Sequence, residues 1–320
     1  MLPLRTVLCA LDFSDGSARA LARAADLAER ARASLRLLHV DPTFRARLAD
    51  VPGGNAGATL RARVRDYVNG ALGAGDAFEV LGPDVAVRHG EAAADGILAE
   101  AEASGADLVV VGTHARSGLG HLLLGSVAAD VIRRSDRPVL VVPEVTHDRA
   151  PSSTQPVLVG VDFSPLTPAV LRLARGLAEA YGAPLELVHV LEGAPEATVD
   201  FGGLFTLSDL RAERSEGSRA VAERGLERLA AGVPGVARVH VLGGAAETEL
   251  VRLADARDAG ALVLGTHGRS GLDRLLLGSV AEYAARRAPC AVLTLSARAQ
   301  DRADAESARA SGAVTSGAAA

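Results

Sequence analysis

The sequence predicts an α/β protein of two tandem domains, each a five-stranded, parallel, doubly wound sheet with flanking helices. Two observations support this prediction: short apolar runs alternate with stretches of helical periodicity, and the whole pattern occurs twice along the 320 residues. Strands that are apolar on both faces are typical of parallel sheets, because helices cover both sides. Their alternation with helices indicates βαβ units, and ligands bind such sheets beyond the carboxyl ends of the strands.

The internal duplication rests on four segments that recur in the same order. The matching pairs are Val7–Ser14 with Val157–Ser164, Leu38–Val40 with Val188–Val190, Gly112–Leu119 with Gly265–Leu272, and Leu122–Ala128 with Leu275–Ala281. The offset is 150 residues for the first pair and 153 for the last. A period of this size is that of a domain rather than a solenoid repeat, so each copy is expected to have its own core.

The strands and helices follow from the apolar pattern, in chain order. The predicted strands are Thr6–Leu11, Leu35–Val40, Val85–Val87, Leu108–Val111 and Val139–Val142, then Val157–Val161, Leu185–Val190, Val236–Leu242, Ala261–Leu264 and Ala291–Leu295. The predicted helices of the first copy are Ala18–Ala33, Leu60–Leu72, Ala92–Ala103 and Val127–Arg134. Ser14 or Asp15 is expected to cap the first helix, since their side chains accept hydrogen bonds from free amides.

Composition sets the domain boundaries. We expect a first domain over 1–145, a Pro/Ser-rich linker over 146–155 and a second domain over 156–297. Beyond about Ser296 the chain is rich in Ala, Arg, Asp and Ser and has no apolar stripe. The sequence therefore predicts a disordered tail over 298–320.

Charge and composition exclude several classes of partner. The net charge is −5 and there are nine aromatic residues, so a nucleic-acid surface of basic and stacking groups is not expected. No apolar run approaches the length of a membrane span, and Asp12 interrupts the first one early. Cys9 and Cys290 both lie in strand-like segments, which indicates buried thiols in a reducing compartment. We expect a cytoplasmic protein without a membrane or nucleic-acid partner.

The strongest functional signal follows the fourth strand of each copy. In the second copy Gly265 and Gly268 precede a nine-residue stretch and then Gly278-Ser279 at the start of a helix. Glycines let the backbone approach a ligand closely, and the amides and dipole of a helix N-terminus attract anions. Arg269 adds a charged fork suited to phosphate oxygens. Together these features are typical of a phosphate site.

The more familiar nucleotide loops are absent from the sequence. The chain contains no Lys, so there is no Walker-type loop, and no Gly-x-Gly-x-x-Gly follows the first strand of either copy. Asp12 and Asp162 occupy that place instead. A carboxylate repels phosphate but accepts hydrogen bonds from a ribose hydroxyl or an adenine amine. We therefore expect the nucleoside near the first strand and the phosphates near the Gly-Ser helix.

The spacing Gly-2x-Gly-9x-Gly-Ser resembles the ATP-binding signature of the universal stress protein family. Asp-Phe-Ser after the first strand and His-Val at the end of the second resemble other marks of that family, and both copies carry them. The resemblance implies a tandem universal stress protein with two Rossmann-like (adenine nucleotide alpha hydrolase-like) domains that bind ATP, with or without Mg²⁺. The implied contacts in the second copy are Asp162, Val190, Gly265, Gly268, Arg269, Gly278, Ser279 and Val280. Those in the first copy are Asp12, Val40, Gly112, Ala115, Arg116, Gly125, Ser126 and Val127.

One position departs from the signature, because Ala115 stands where the second copy has Gly268. If that position requires a positive φ, an alanine costs about 1–2 kcal/mol. The first site is then expected to bind ATP less tightly than the second.

Other residues in these motifs have structural explanations. His114 and His267 lie in the glycine loops without a nucleophile or metal ligand at a suitable spacing, which favours a structural or phosphate-side role over acid–base catalysis. His39 and His189 end the second strand of each copy and are interpreted as hydrogen-bonded strand-end residues. Arg133-Arg134 and Arg286-Arg287 lie at helix C-termini, where cations complement the dipole.

The leading hypothesis is a non-catalytic, ATP-binding regulator of the stress response. A slow ATPase or adenylate-handling enzyme is one alternative, and a nucleotide-free scaffold that acts through protein contacts is another. In the family that the sequence resembles, domains pair through the last strand, which implies an intramolecular pseudo-dimer or a homodimer. Besides the adenine nucleotide, an unidentified protein partner is expected.

Overall fold

The computed structural model of the chain describes residues 4–41, 56–89, 92–113, 124–143, 150–192, 207–266 and 278–316. The first half consists of β1 Thr6–Leu11, α1 Asp15–Ala31, β2 Ser34–Asp41, α2 Ala56–Leu72, α3 Ala77–Leu81, β3 Asp84–His89, α4 Ala93–Ala103, β4 Leu108–Gly112, α5 Ser126–Arg134 and β5 Val139–Val142. The second half consists of β6 Val157–Gly160, α6 Thr167–Tyr181, β7 Leu185–Leu191, α7 Leu207–Ala231, β8 Val236–Gly243, α8 Ala246–Ala256, β9 Ala261–Gly265, α9 Ser279–Arg287, β10 Ala291–Leu295 and α10 Ala297–Ser316.

The ten strands form one sheet in the order β3-β2-β1-β4-β5-β10-β9-β6-β7-β8. Within each half every strand pair is parallel, which confirms the two five-stranded, doubly wound sheets expected from the sequence. The halves meet at β5 and β10, which pair antiparallel with Leu140 opposite Leu293. The two halves thus form a pseudo-dimer within one chain, and the homodimer of whole chains stays a prediction.

The junction between the halves is packed as well as hydrogen-bonded. One cluster of buried apolar side chains runs from Val7 in β1 through Leu140 and Leu293 to Val157 in β6, so the halves share a core. Above this core the guanidinium of Arg30 lies 4.5 Å from the ring centre of Tyr181, which joins α1 to α6. Burial of apolar surface is the main favourable term in folding, so the two halves are expected to unfold together.

Helix α1 shows how local sequence sets an element. Ser14 is its N-cap and accepts a hydrogen bond from the amide of Ser17, which confirms one of the two predicted caps. The helix ends at Ala31 because Arg32 adopts a left-handed conformation (φ 53°) and its amide bonds to the carbonyls of Ala28 and Glu29. The short helix Ala77–Leu81 has no counterpart in the sequence prediction.

The structure differs from the sequence expectation at the C-terminal end, where residues expected to be disordered form α10. Ser296 caps the helix by accepting from the amide of Ala299 at 3.1 Å, and its hydroxyl donates to the Ser135 carbonyl at 2.8 Å. Ala299 is buried, and Arg302 pairs with Glu306 one turn later. Alanine and arginine are strong helix formers, so a stretch without an apolar stripe still forms a helix once one end is docked.

The predicted linker is described from residue 150 onward. Ser152 and Gln155 close a tight turn through reciprocal backbone hydrogen bonds of 3.0 and 3.2 Å. The backbone at Ala150 and Pro151 lies so close to Gly260 that a side chain there would collide with it. The end of the linker therefore packs against the turn before β9. The domain boundaries themselves remain a prediction.

Candidate functional site

In each half the strand order reverses beside the first strand. The chain runs from β1 outward to β2 and β3, then returns to place β4 on the other side of β1. The second half repeats this arrangement with β6 between β7 and β9. In open α/β sheets the crevice at such a switch point, beyond the carboxyl ends of the strands, is where ligands bind.

Predicted site residues lie at this edge. Leu11 pairs with His39, which places Asp12 level with Val40 at the ends of β1 and β2. Cys9 pairs with Val110 across the other side, so Gly112 ends β4 level with the end of β1. Neighbouring strands lie about 4.8 Å apart, and the three positions therefore span about 10 Å.

The second half places its equivalents in the same way. Gly160 pairs with Val188, which brings Asp162 level with Val190. Val159 pairs with Val263, and Gly265 then ends β9 beside the end of β6. The structure thus brings the acidic residue, the valine and the first glycine of each predicted set together at one edge of the sheet.

Each aspartate belongs to a tight turn that leads into a helix; we call Asp12–Ser14 the first acidic turn and Asp162–Ser164 the second. Asp12 Oδ1 accepts from the Ser14 amide at 3.0 Å and from the Ser14 hydroxyl at 2.5 Å. In the second acidic turn Asp162 Oδ1 accepts from the Ser164 amide at 2.9 Å and from the Thr167 hydroxyl at 3.1 Å. Among the described residues these bonds all use Oδ1. The other oxygen, Oδ2, is therefore the acceptor left for a ligand.

The middle residue of each acidic turn has a strained backbone. Phe13 has φ 64° and Phe163 has φ 57°, a region that bulky L-residues rarely adopt. Such strain is concentrated at ligand sites and turns, where the surrounding structure holds it in place. Neither phenylalanine is among the site residues predicted from the sequence, although both lie in the repeated Asp-Phe-Ser segment.

The strand-end histidines support the turns. His39 Nδ1 is hydrogen-bonded to the Leu11 carbonyl at 2.8 Å, and its ring lies 4.7 Å from that of Phe13. In the second half His189 Nδ1 is 2.6 Å from the Val161 carbonyl and its ring lies 4.8 Å from that of Phe163. The interpretation of these histidines as hydrogen-bonded strand-end residues is confirmed.

The helices after β4 and β9 begin with glycine. Gly125 is the N-cap of α5 and Gly278 that of α9, so neither helix start has a side chain that caps its free amides. The Gly125 amide donates to the Thr113 carbonyl at 2.7 Å, and the Gly278 amide donates to the Thr266 carbonyl at 2.8 Å. These bonds hold each helix start against the end of the preceding strand.

The helix starts leave backbone amides without a partner inside the helix. The first residues of α5 are Ser126 and Val127, and those of α9 are Ser279 and Val280. The first amides of an α-helix have no acceptor within the helix, and the helix dipole makes this end positive. Both starts lie beside the switch point, where Asp12 or Asp162 supplies the acceptor. Each edge therefore combines a helix start that has no side-chain cap with a carboxylate at the end of the adjacent strand.

Four predicted site residues, namely Ala115, Arg116, Gly268 and Arg269, lie outside the described residues, as do His114 and His267. The expected difference between Ala115 and Gly268 therefore stays a prediction.

Gly112 has a packing role that the sequence analysis missed. A side chain there would lie 2.8 Å from the backbone carbon and oxygen of Gly16, in the first turn of α1. The absence of a side chain lets β4 and the start of α1 pack directly against each other. This glycine is therefore explained by packing as well as by its place at the edge.

The cysteines and the arginine pairs agree with their sequence interpretation. Cys9 and Cys290 are buried thiols, and burial raises the pKa of the Cys9 thiol well above its usual range. Arg133-Arg134 and Arg286-Arg287 lie in the last turns of α5 and α9. Within the described part of the chain, no three His, Cys, Asp or Glu side chains come together as a metal site. Within the same residues no helix has the length and apolar character that a membrane span requires.

Comparison with known proteins places the chain in a family. The model of the universal stress protein family matches residues 3–143 and again 153–296. A universal stress protein of Mycolicibacterium smegmatis is 31% identical over 196 residues, which is 60% of this chain and 63% of that protein. A universal stress protein A homolog of Coxiella burnetii is 33% identical over 141 residues, 43% of this chain and 94% of that protein.

The fold comparison agrees with the sheet described above. The crystal structure of a universal stress protein from Archaeoglobus fulgidus matches 91% of this chain and 98% of its own, with a TM-score of 0.59 and 21% identity. A likeness at this identity supports the fold.

Proposed function

This chain belongs to the universal stress protein family, and from that premise we propose that each half binds ATP at the carboxyl edge of the sheet. The observation that carries the proposal is the glycine-capped helix start beside the switch point, which occurs at α5 and again at α9. Free amides at a helix start bind phosphate, and the switch point is the usual ligand crevice of such sheets.

The nucleoside end of the ligand belongs at the acidic turn. Asp12 or Asp162 offers Oδ2 to a ribose hydroxyl or an adenine amine, and the backbone of Val40 or Val190 lies level with it on the next strand. A bare carboxylate repels phosphate, so this end of the crevice favours the neutral part of ATP. The acidic turn at one end and the helix-start amides at the other therefore orient the nucleotide along the edge of the sheet.

In this arrangement Mg²⁺ would bind together with the phosphates of ATP. Hard cations prefer oxygen ligands, usually one or two carboxylates together with phosphate oxygens and water. Oδ2 of Asp12 or Asp162 is used by the nucleoside in this proposal, so a Mg²⁺ ion at the other end would take its ligands from phosphate oxygens and water.

We propose that ATP binding regulates the protein in the stress response and that the chain is non-catalytic. Nucleotide shifts a conformational equilibrium only if its affinity differs between the two states. The two proposed sites lie on one continuous sheet with a shared core, so occupancy of either site is able to alter a surface that both halves present to a protein partner. A cytoplasmic location remains part of this proposal.

The experiment measures nucleotide in mildly purified protein and then titrates ATP into stripped protein. Ser279→Pro removes one amide at the first position of α9, where proline is compatible with the helix. Gly278 already has the extended backbone (φ −60°, ψ 138°) that precedes a proline. We expect the affinity of the second site to fall about tenfold or more, since hydrogen bonds to charged groups contribute about 1.5–3 kcal/mol.

The matched control is Ala246→Pro, the same change at the first position of α8. That helix follows β8, away from the switch point, and Ala245 before it is also extended (φ −81°, ψ 124°). ATP affinity should be unchanged in the control. Equal affinities in both variants and in the wild-type protein would refute the proposed phosphate position, and absence of ATP binding to folded wild-type protein would refute the function.

A further inference from the structure

The two acidic turns differ in what holds them in place. In the first half Tyr67 of α2 donates a hydrogen bond of 2.5 Å to the Ser14 carbonyl and shares another of 2.6 Å with the Ser17 hydroxyl. The Ser17 hydroxyl in turn accepts from the Asp12 amide at 3.4 Å. The tyrosine hydroxyl therefore bonds directly to the Ser14 end of the turn and is linked to the Asp12 end through the Ser17 hydroxyl.

The ring of Tyr67 adds a second contact. It meets the ring of Phe13 edge-on, with centres 5.3 Å apart, and the guanidinium of Arg63 lies 4.1 Å from the centre of the Phe13 ring. Aromatic pairs of this geometry are stabilising. The strained residue of the first acidic turn is thus held between α2 and His39.

The second half has glycine in the place of this tyrosine. Val64 and Val68 of α2 are buried in the shared core, as are Ala222 and Leu226 of α7. Tyr67 and Gly225 each directly precede the second of these residues. A side chain at Gly225 would lie 3.0 Å from the ring of Phe163, so both positions face the middle residue of their acidic turn.

The consequence is visible at Phe163, which is 37% exposed and is one of three exposed large apolar residues in the described part of the chain. Val221, one helical turn before Gly225 on the same face of α7, is another, at 62%. No side chain from Gly225 reaches the second acidic turn, and Asp162 is instead held by Thr167 of its own helix. Both turns thus have a hydrogen bond to the first turn of their own helix, and the first turn has in addition the hydrogen bond from Tyr67 of a different helix.

We infer that Tyr67 is a positioning residue for the first nucleotide site: it holds the first acidic turn so that Asp12 is oriented toward the nucleoside before the ligand arrives. The second turn is ordered more fully by the ligand itself. This inference rests on the proposed ATP site and adds a difference between its two copies. Preorganisation improves affinity because less ordering remains to be done on binding.

The test compares wild-type protein with Tyr67→Phe, which removes the hydroxyl and keeps the ring against Phe13. Tyr181→Phe is the control, because it removes the hydroxyl of a buried tyrosine at the C-terminal end of α6, the end of that helix farther from the second acidic turn. Hydrogen exchange of the segments 12–17 and 162–167 reports each turn separately, without and with ATP. Binding of tripolyphosphate reports the phosphate end alone.

We expect the amides of 12–17 to exchange more slowly than those of 162–167 in wild-type protein without nucleotide. Tyr67→Phe should raise exchange in 12–17 about five- to tenfold, since each lost hydrogen bond contributes about 1 kcal/mol. The substitution should lower the affinity of the first site for ATP and for adenosine about three- to tenfold. The affinity for tripolyphosphate and the exchange rates of 162–167 should not change. The Tyr181→Phe protein should have the exchange rates and affinities of the wild-type protein.

Three outcomes would overturn the inference. If Tyr67→Phe lowers the affinity for tripolyphosphate as much as the affinity for ATP, the tyrosine supports the fold in general rather than the nucleoside end of the site. If ATP protects 162–167 but not 12–17 in wild-type protein, the first turn is not a nucleotide contact, although the proposed function stands in the second half. If ATP protects both segments and Tyr67→Phe changes neither exchange nor affinity, the positioning role is wrong and the proposed function stands.

Discussion

In the first half Arg36 of β2 forms an ion pair with a buried glutamate of α4. In the second half the equivalent strand position is occupied by a glutamate. Arg36 lies 2.6 Å from Glu100, and Glu100 also pairs with Arg88 at 2.9 Å. Glu186, 150 positions after Arg36, pairs with Arg257 at 2.6 Å and with His240 at 2.7 Å. At this equivalent strand position the first half therefore has an arginine that pairs with a buried carboxylate, and the second half has a buried carboxylate that pairs with Arg257 and His240.

This contrast separates what the two halves share from what they do not. The features shared at the carboxyl edge are the acidic turn with positive φ at its phenylalanine and the glycine-capped helix start. The features that differ are side-chain supports, such as Tyr67 against Gly225. The backbone geometry at this edge is therefore the same in both halves, although the supporting side chains differ.

The largest expected effect concerns Gly112, because a side chain there collides with the backbone of Gly16 rather than with a movable side chain. Gly112→Ala should lower the free energy of unfolding by about 3 kcal/mol, the range of overpacking effects. The shared core predicts a single unfolding transition even in this variant. Chemical denaturation followed by circular dichroism measures both quantities.

Gly70→Ala is the control for this substitution, since nothing lies within 4 Å of the added carbon in α2. It should leave stability unchanged or raise it by up to about 1 kcal/mol, because alanine favours a helix over glycine. Two separate transitions in Gly112→Ala, with only one of them shifted, would show that the halves fold independently.

The next largest effect is expected at Glu186, whose buried carboxylate is paired with Arg257 and His240. Burial raises the pKa of Glu186, but the hydrogen bonds from Arg257 and His240 outweigh it, and the net pKa lies below its ordinary 4.5. A lowered carboxyl pKa stabilises the fold above pH 4.5, and this contribution is lost as pH falls through the lowered value. Glu186→Gln should therefore destabilise the protein by about 2 kcal/mol at pH 7 and flatten this acid dependence.

Urea unfolding between pH 3 and 7 checks the prediction. Glu223→Gln removes one partner of an exposed helical ion pair with Arg219 and should cost less than about 0.5 kcal/mol. If Glu186→Gln has the same stability and the same acid dependence as the wild-type protein, the buried network has no energetic role.

The smallest effect concerns α10, which has no counterpart in the described part of the first half. Ser296→Ala removes the cap of this helix and its bond to Ser135. We expect a loss of about 1–2 kcal/mol in stability and faster proteolysis within 297–316. Unchanged proteolysis would mean that the helix is held by other contacts.

The elements of the sheet were predictable because apolar runs and helical periodicity are local signals. The ten strand positions, the Ser14 cap and the edge location of Asp12 and Asp162 all follow from stretches of a few residues. Helix α10 was missed because docking at Ser296 depends on the distant Ser135 carbonyl. Tyr67 was missed because its contact with the acidic turn joins residues 50 or more positions apart.

We propose that the chain carries two copies of one nucleotide site. Isothermal titration of ATP into stripped, folded protein measures it most directly, because the number of sites per chain is read independently of their affinities. We expect two sites per chain. A single site would show that the two edges are not equivalent, and absence of binding would refute the proposed function.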